Sequence, residues 1–259
     1  MSQDIPKEYP LDRKPRAIIV GASSGIGEAV AYKLAKEGYI VALLATNKPA
    51  LDKICQKINA RAGENLAFAY KHDVTQFDKI PQTFQKILAD IKQLDALVYI
   101  AGVMPHVAID EYNFEKDLAI TNVNMLGGMG WMAQAATLFD RMGSGHIVGI
   151  ASVAADRGRV KNPGYNASKA GLDTYLEALR NRLTRKGAHV MSVKPGFVNT
   201  AMLEGVKGTF GVISPEKAAD AIYRGMRRRT QILYTPWWWR YLMLIIIHMP
   251  SFIFRRLSF

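Results

Sequence analysis

The sequence predicts an α/β fold built on one doubly wound, Rossmann-like parallel sheet, followed by an apolar helical tail. Three observations predict it. Short runs of Val, Ile, Leu and Ala alternate with longer amphipathic stretches. Those runs are apolar on both faces, as strands covered by helices on either side must be. A glycine-rich turn, Gly21-Ala-Ser-Ser-Gly25-Ile-Gly27, follows the first run directly and opens the first helix.

The elements follow in order. Ala17 to Val20 reads as a strand, Gly25 to Glu37 as a helix stopped by Gly38, and Tyr39 to Ala45 as a second strand. A helix over Lys48 to Ala62, a strand over Leu66 to Lys71, a helix over Phe77 to Ile91 and a strand over Ala96 to Ile100 continue the alternation. A long helical pattern runs from about Phe114 to Arg141. His146 to Ile150 is a fifth strand, Tyr165 to Arg185 a helix, Ala188 to Lys194 a sixth strand, Pro215 to Arg228 a helix and Ile232 to Tyr234 a short last strand. Right-handed crossovers then give a sheet with helices on both faces, and such sheets bind ligands at the carboxyl ends of their strands.

At 259 residues, 49% of them apolar, the chain has material for one large domain with a sizeable core. Residues 1–235 read as one catalytic and nucleotide-binding domain and residues 236–259 as an extension. The single cysteine, Cys55, allows no intrachain disulfide and fits a reducing, cytoplasmic setting. Residues 1–16 are polar, carry three prolines and read as a loose lead-in with no secretory signal. The net charge of +12 points to an anionic partner. Seven arginines and no acid lie between Arg224 and Phe259, mixed with apolar sequence. No nucleic-acid-binding motif accompanies them, so nucleic acid is not the expected partner.

The glycine turn has a specific use. Gly21 permits a tight turn, Gly25 lets backbone approach a pyrophosphate, and Gly27 lets helix pack on strand. Gly21, Ser23, Ser24, Gly25, Ile26 and Gly27 are therefore candidate dinucleotide contacts, with the helix N-terminus facing the phosphates. At the end of the second strand the chain reads Ala45-Thr46-Asn47-Lys48 and lacks an acid. An acid there would bond a ribose 2′-hydroxyl and repel a 2′-phosphate. Ser23, Thr46, Asn47 and Lys48 can instead host a phosphate, which favours NADP over NAD. After the third strand comes His72-Asp73-Val74. Asp73 can accept a hydrogen bond from adenine or cap the next helix, and residue chemistry leaves both open.

Tyr165 and Lys169 stand four residues apart on one helix face. A neighbouring ammonium is expected to draw the phenol pKa down from about 10 toward neutrality. Such a tyrosine can give a proton to a carbonyl oxygen or take one from an alcohol. The same spacing occurs at Tyr32/Lys36 and Tyr112/Lys116. Only the third pair has a serine thirteen residues earlier at a strand end: Ser152, in Ile150-Ala-Ser-Val-Ala. Its hydroxyl can bond a carbonyl and steady a developing oxyanion. A nucleophile role fits less well, because no nucleophile elbow surrounds it and His146 should lie at the opposite end of the strand.

Together these residues resemble the short-chain dehydrogenase/reductase superfamily over about residues 16–229. The ordered set is Gly21/Gly25/Gly27, Asp73-Val74, Ala101-Gly102, Asn124-Met-Leu-Gly127, Ser152, Tyr165/Lys169 and Pro195-Gly196-Phe-Val-Asn-Thr200. The resemblance implies a nicotinamide-dependent oxidoreductase interconverting a ketone and a secondary alcohol, with NADP or NAD as cofactor. It implies that Asn124 holds a water linking Lys169 to solvent, with a helix-kinking structural amide as the alternative. It places Pro195, Gly196, Val198 and Thr200 beside the nicotinamide, and it strengthens the adenine role for Asp73. It also implies a homodimer or homotetramer. One departure stands out. The family's Asn-Asn-Ala-Gly is here Tyr99-Ile100-Ala101-Gly102, and without the two amides the local bracing is in question. A dinucleotide-sensing scaffold without turnover is the competing function, but it would have no need of Tyr165.

The tail runs Pro236-Trp-Trp-Trp-Arg-Tyr241, then Leu242 to Ile247, then His-Met-Pro250 and Phe252-Ile-Phe-Arg-Arg-Leu257. Its apolar run is too short to span a bilayer. Burial of Leu242 to Ile247 against the domain is one expectation. Contact of the aromatic and arginine rim with an anionic membrane surface is the other. The tail resembles that of decaprenylphosphoryl-2-keto-ribose reductases at Pro236, Arg240-Tyr241, Met243, His248, Pro250 and Phe254-Arg255-Arg256-Leu257. The Ala170-Gly-Leu-Asp173 run is similar to theirs too. That resemblance implies a lipid-linked or amphipathic keto substrate and an enzyme peripheral to the inner face of a membrane. Arg157, Arg159 and Lys161 could then meet a substrate phosphate; a solvated basic loop is the plainer alternative.

Overall fold

A computed structural model describes residues 13–206 and 208–257. Seven parallel strands form one sheet in the order β3-β2-β1-β4-β5-β6-β7. The strands are β1 Arg16–Val20, β2 Ile40–Ala45, β3 Ala67–Lys71, β4 Ala96–Tyr99, β5 His146–Ile150, β6 His189–Pro195 and β7 Ile232–Thr235. The helices are α1 Gly25–Lys36, α2 Lys48–Ala62, α3 Ile80–Ile91, α4 Phe114–Thr121, α5 Gly127–Met142, α6 Pro163–Leu183, α7 Pro215–Arg227, α8 Trp239–His248 and α9 Ser251–Phe254. Strand order reverses beside β1, which puts the crevice for a ligand between β1 and β4.

Alternate side chains of each strand serve opposite faces. Ala17 and Ile19 join a core with α1 and α2 residues such as Val30, Leu34 and Leu51. Ile18 and Val20 join the other core, with Phe84, Trp131, Phe139 and Leu172. Both faces of β1 are fully buried, which explains its unbroken apolar sequence.

The long helical pattern from Phe114 is not one regular helix. A π-helical turn over Asn122–Leu126 separates α4 from α5. Insertions of this kind kink helices and are frequent at functional sites. The sequence gives no periodicity signal for it, because one extra residue shifts the apolar stripe by only a fraction of a turn. Residues 1–12 of the expected lead-in, with Ser258 and Phe259, lie outside the described residues.

At the amino ends of β5 and β6, His146 and His189 face each other with ring centroids 5.3 Å apart. Burial, then neighbouring charge, pulls their pKa values down to about 3 and about 4. The unfolded chain takes up these protons near pH 6.5 and the folded pair only near pH 4 and below. Between those limits the unfolded state binds more protons, so stability falls as pH falls through the window. The melting temperature is expected to drop steadily from pH 6.5 toward 4, with a flatter slope in a His146→Gln/His189→Gln double variant. An identical slope in the variant would remove the pair as its cause.

Candidate active site

The phosphate turn takes its shape from close packing. Gly21 has φ +93°, and a Cβ there would stand 2.4 Å from the Ala101 nitrogen. A Cβ on Gly27 would stand 2.0 Å from the Gly21 carbonyl oxygen. No side chain fits either position, so α1 begins directly against β1. Ser24 precedes α1 in an extended conformation without a side-chain cap, leaving the first N–H groups of the helix open to a ligand. Gly25 lies against the Thr200 methyl, 2.9 Å from where its Cβ would be. The segment after β6 thus meets the segment after β1, although they are far apart in sequence. Ala101 and Gly102 join them: a Cβ on Gly102 would lie 3.3 Å from Asn124 Oδ1 and 3.4 Å from Lys169 Nζ.

Other groups hold the segment after β4 where the two amides are missing. The Ile100 and Ala101 amides both donate to the Val20 carbonyl, at 2.8 and 2.9 Å. The Tyr99 hydroxyl crosses to the Val123 carbonyl in the π turn, 2.5 Å away. The crevice is therefore braced by a phenol and backbone.

Asn124, fully buried, sits in the π turn. Its Oδ1 accepts from the Val103 amide at 2.7 Å, and its Nδ2 donates to the Val103 carbonyl at 3.0 Å and to Ser168 Oγ at 3.2 Å. These bonds hold the strand-four loop to the kink and to α6.

Ser152 follows β5 in extended backbone and is 9% exposed. Its Oγ accepts from the Ala154 amide at 3.0 Å, and its hydroxyl is near enough to the Tyr165 phenol to favour the phenolate. Lys169 lies one turn beyond Tyr165, its Nζ 5.8 Å from the phenol ring centroid, and donates to the Ile150 carbonyl at 2.8 Å. The other two Tyr/Lys pairs do not converge on a site. Tyr32 packs beneath the Arg61 guanidinium, and Tyr112 is 95% exposed beside a Lys116 paired with Glu111.

One electrostatic expectation is corrected. Burial raises the Tyr165 phenol above its ordinary value, and the Ser152 hydrogen bond and the Arg159 charge offset only part of that. The ammonium is itself weakened, since burial pulls Lys169 down to about 8. Desolvation disfavours the charged form of each and dominates both shifts in the protein alone.

Other expected contacts stand at the same edge. Asp73 Oδ1 accepts from the Thr75 amide at 2.9 Å and hydroxyl at 2.8 Å, which holds the carboxyl below its usual range. It closes a local turn and does not cap a helix. Val74 is buried against Gly127. Asn47 caps α2 by accepting from the Ala50 amide at 3.1 Å, and Lys48 pairs with Asp52. Thr46 is exposed beside them. Pro195 ends β6, the Gly196 amide donates to the Thr235 carbonyl at 3.0 Å, and Val198 bridges to Ile213. Arg157 does not face the site: its guanidinium donates to carbonyls of α8 and beyond. Arg159 is half-buried, without an ion pair among the described residues, and within electrostatic reach of Tyr165. Lys161 is exposed.

The family model for short chain dehydrogenases matches residues 15–209. The chain belongs to the short-chain dehydrogenase family. It is an NAD(P)-dependent oxidoreductase. Among relatives of this short-chain dehydrogenase, an uncharacterised oxidoreductase of Staphylococcus epidermidis is 30% identical over 217 residues, covering 83% of this chain and 92% of the relative. A 3-oxoacyl-[acyl-carrier-protein] reductase of Synechocystis is 31% identical over 189 residues, covering 73% and 76%. The solved short-chain dehydrogenase of Sphingobium yanoikuyae in complex with NADPH superposes with a TM-score of 0.79 at 25% identity, covering 86% of this chain and 88% of that one.

Sequence reasoning missed the role of Lys194. It is the one charged residue inside β6 and is 6% exposed. Its Nζ meets Asp156 at 2.5 Å and Asp173 at 2.8 Å. A lysine inside a mostly apolar strand was the available signal, because a buried ammonium demands a carboxylate.

Proposed function

We propose that this chain reduces a ketone to a secondary alcohol with NADPH, Tyr165 giving the proton to the carbonyl oxygen. The observation that carries the reading is the meeting of Ser152, Tyr165 and Lys169 beside Gly102, at the strand edge where the glycine turn opens. The bound nicotinamide supplies the hydride. Gly21, Ser23, Ser24, Gly25, Ile26 and Gly27 hold the phosphates at the α1 N-terminus, Asp73 and Val74 flank the adenine, and Ala101 and Gly102 line the crevice. Pro195, Gly196, Val198 and Thr200 border the nicotinamide end. Ser152 Oγ donates to the substrate oxygen as negative charge grows there. Tyr165 stays protonated until that moment, as its raised pKa requires of an acid. Lys169 holds the nicotinamide ribose and lends positive charge, and the kink at Asn124 orders the path by which the proton is replaced. A screen for NADPH oxidation over keto sugars, ketosteroids and lipid-linked ketones tests the reading. Turnover of none of these classes would contradict it.

NADPH is the preferred cofactor. No acid stands in the Ala45–Lys48 turn, and α2 opens there with no acidic residue in its first turn. The exposed Thr46 hydroxyl and the Lys48 ammonium at that turn suit a 2′-phosphate. The relative from Sphingobium, solved with NADPH, supports the same choice. Fluorescence titration is expected to give at least about tenfold tighter binding of NADPH than NADH, ~1.4 kcal/mol. Tighter NADH binding would reverse the assignment.

The substrate is amphipathic or lipid-linked, and the extension meets an anionic membrane surface. Tyr241, Leu244, Ile245, Ile247 and Phe252 are exposed on α8 and α9, beside exposed Arg240, Arg255 and Arg256. An exposed apolar face rimmed by arginine suits anionic headgroups. No described helix is long and apolar enough to cross a membrane. Cosedimentation with phosphatidylglycerol vesicles is expected, lost in a Leu244→Ser/Ile245→Ser variant and absent with pure phosphatidylcholine. Equal sedimentation of the variant would exclude this face.

A further inference from the structure

The extension beyond β7 lies against the segments that carry the site, and one loop residue ties it there. Val153, next to Ser152, packs with Trp239 and Met243 of α8, both 4% exposed. The Trp239 ring occupies the place a Cβ on Gly196 would take, with its Nε1 1.8 Å from that position. Phe197 and Phe210 stand edge-on and tilted to Trp239, at 5.7 and 5.2 Å between centroids. Trp238 stacks on Trp239 at 4.8 Å. The expected burial of Leu242 to Ile247 therefore holds for one helix face only. Leu242, Met243 and Ile246 turn inward, while Leu244, Ile245 and Ile247 stay exposed.

Arg157 closes this contact from the catalytic side. Its Nη1 donates to the carbonyls of Ile246 and, at 2.7 Å, of Met249, and lies 3.4 Å from that of Ile247. Its guanidinium lies 3.9 Å from the centre of the Phe254 ring. The last carbonyls of a helix have no partners within it and carry partial negative charge, so an arginine fork at that end satisfies both needs. The preceding residue, Asp156, is held from the other side by Lys194 at 2.5 Å and by the Tyr234 hydroxyl at 2.9 Å. Four and five residues after Ser152, the loop is thus pinned to the sheet by one side chain and to the extension by the next. The family match ends at residue 209, so α8 and α9 lie outside it.

We propose that Arg157 is a positioning residue for the reaction. It holds α8 and α9 against the Ser152 loop and the Pro195–Phe197 segment, so that the extension forms a wall of the substrate site and fixes the Ser152 hydroxyl. This rests on the ketone-reduction reading. Loss of the tie leaves the phosphate turn untouched, since Arg157 has no contact with it among the described residues. The step made worse is the one in which Ser152 must meet a developing oxyanion.

The test compares wild type, Arg157→Ala and Arg157→Lys, all assayed well below their melting temperatures. NADPH affinity is read by fluorescence, and kcat and KM with a ketone that the screen finds active. Arg157→Ala is expected to keep NADPH affinity within about twofold and lose about tenfold in kcat, the size of one imperfectly placed oxyanion donor or less. Arg157→Lys, which can still donate to one or two carbonyls, is expected to recover part of the loss. Unchanged kcat in Arg157→Ala, whatever its melting temperature, would overturn the proposal. A parallel loss of NADPH affinity would also overturn it, as general disorder. If wild type reduces no ketone, the proposed function fails by itself. Amide exchange in the NADPH complex then judges the tie: faster exchange at residues 151–158 and 239–249 in Arg157→Ala supports it, and unchanged exchange there refutes it.

Discussion

Replacing Tyr165 with phenylalanine is expected to lower ketone turnover about a thousandfold while NADPH affinity stays within a few-fold of wild type. The ring remains, so the packing of Tyr165 with Ile120 and Ala154 is kept. What is lost is one hydroxyl, the phenol that stands beside Ser152 at this strand edge. General acid catalysis by a positioned side chain is worth about a hundred- to ten-thousandfold, and no neighbour can replace this one. Lys169 donates to the Ile150 carbonyl and is taken up, in this reading, with the nicotinamide ribose. A raised phenol pKa favours the reductive direction near neutrality, because the acid arrives protonated. Oxidation of the alcohol needs the phenolate and is expected to gain rate as pH rises through the alkaline range. Turnover near wild type in Tyr165→Phe would remove Tyr165 as the acid.

The second large effect is on stability. Lys194→Met is expected to cost about 3–5 kcal/mol, read as a lower urea midpoint with little change in slope. Burial disfavours the Lys194 charge, but hydrogen bonds to Asp156 and Asp173 more than restore it and hold its pKa above the ordinary lysine value. Asp156 has 2% of its side chain exposed. It also accepts from the Tyr234 hydroxyl, and Ser192 donates to Asp173. Removing the cation leaves the buried Asp156 carboxylate and the partly exposed Asp173 carboxylate without their counter-charge. A Lys194→Met/Asp156→Asn/Asp173→Asn variant carries no such charge and is expected to be more stable than Lys194→Met alone. If the single variant were as stable as wild type, the buried ion pairs would not be the tie between β6, β7 and the catalytic loop.

The strands and most helices were legible because a parallel sheet needs apolar runs and the helices between them need amphipathic ones. Boundaries moved by a residue or two, as at β6, read from Ala188 and observed from His189. The glycine turn was legible for a stronger reason: at Gly21 and Gly27 backbone occupies the space of a side chain. Tyr165/Lys169 was legible only with Ser152, since the same spacing at Tyr32 and Tyr112 leads nowhere. The sign of the Tyr165 shift was not legible, because desolvation depends on what surrounds the ring and not on its neighbour four residues away. Arg157 was misplaced for a similar reason. A basic loop near a catalytic tyrosine suggests a substrate phosphate, whereas the partners that claim Arg157 are carbonyls about ninety residues onward. The tail read as a choice between burial and exposure, and the helix does both on opposite faces. Deleting it to test membrane contact would strip Trp239 and Met243 from the core, so substitutions on its exposed face are the cleaner instrument.

The most direct measurement follows the hydride and the proton to the product. NADPH carrying deuterium at both C4 positions is supplied with a ketone from the screen, and the alcohol is analysed by mass spectrometry. The account predicts one deuterium on the carbinol carbon with wild-type protein and almost none in the same time with Tyr165→Phe, both proteins binding the cofactor alike. Tight NADPH binding with no deuterium transferred to any ketone, or equal labelling by the two proteins, would contradict it.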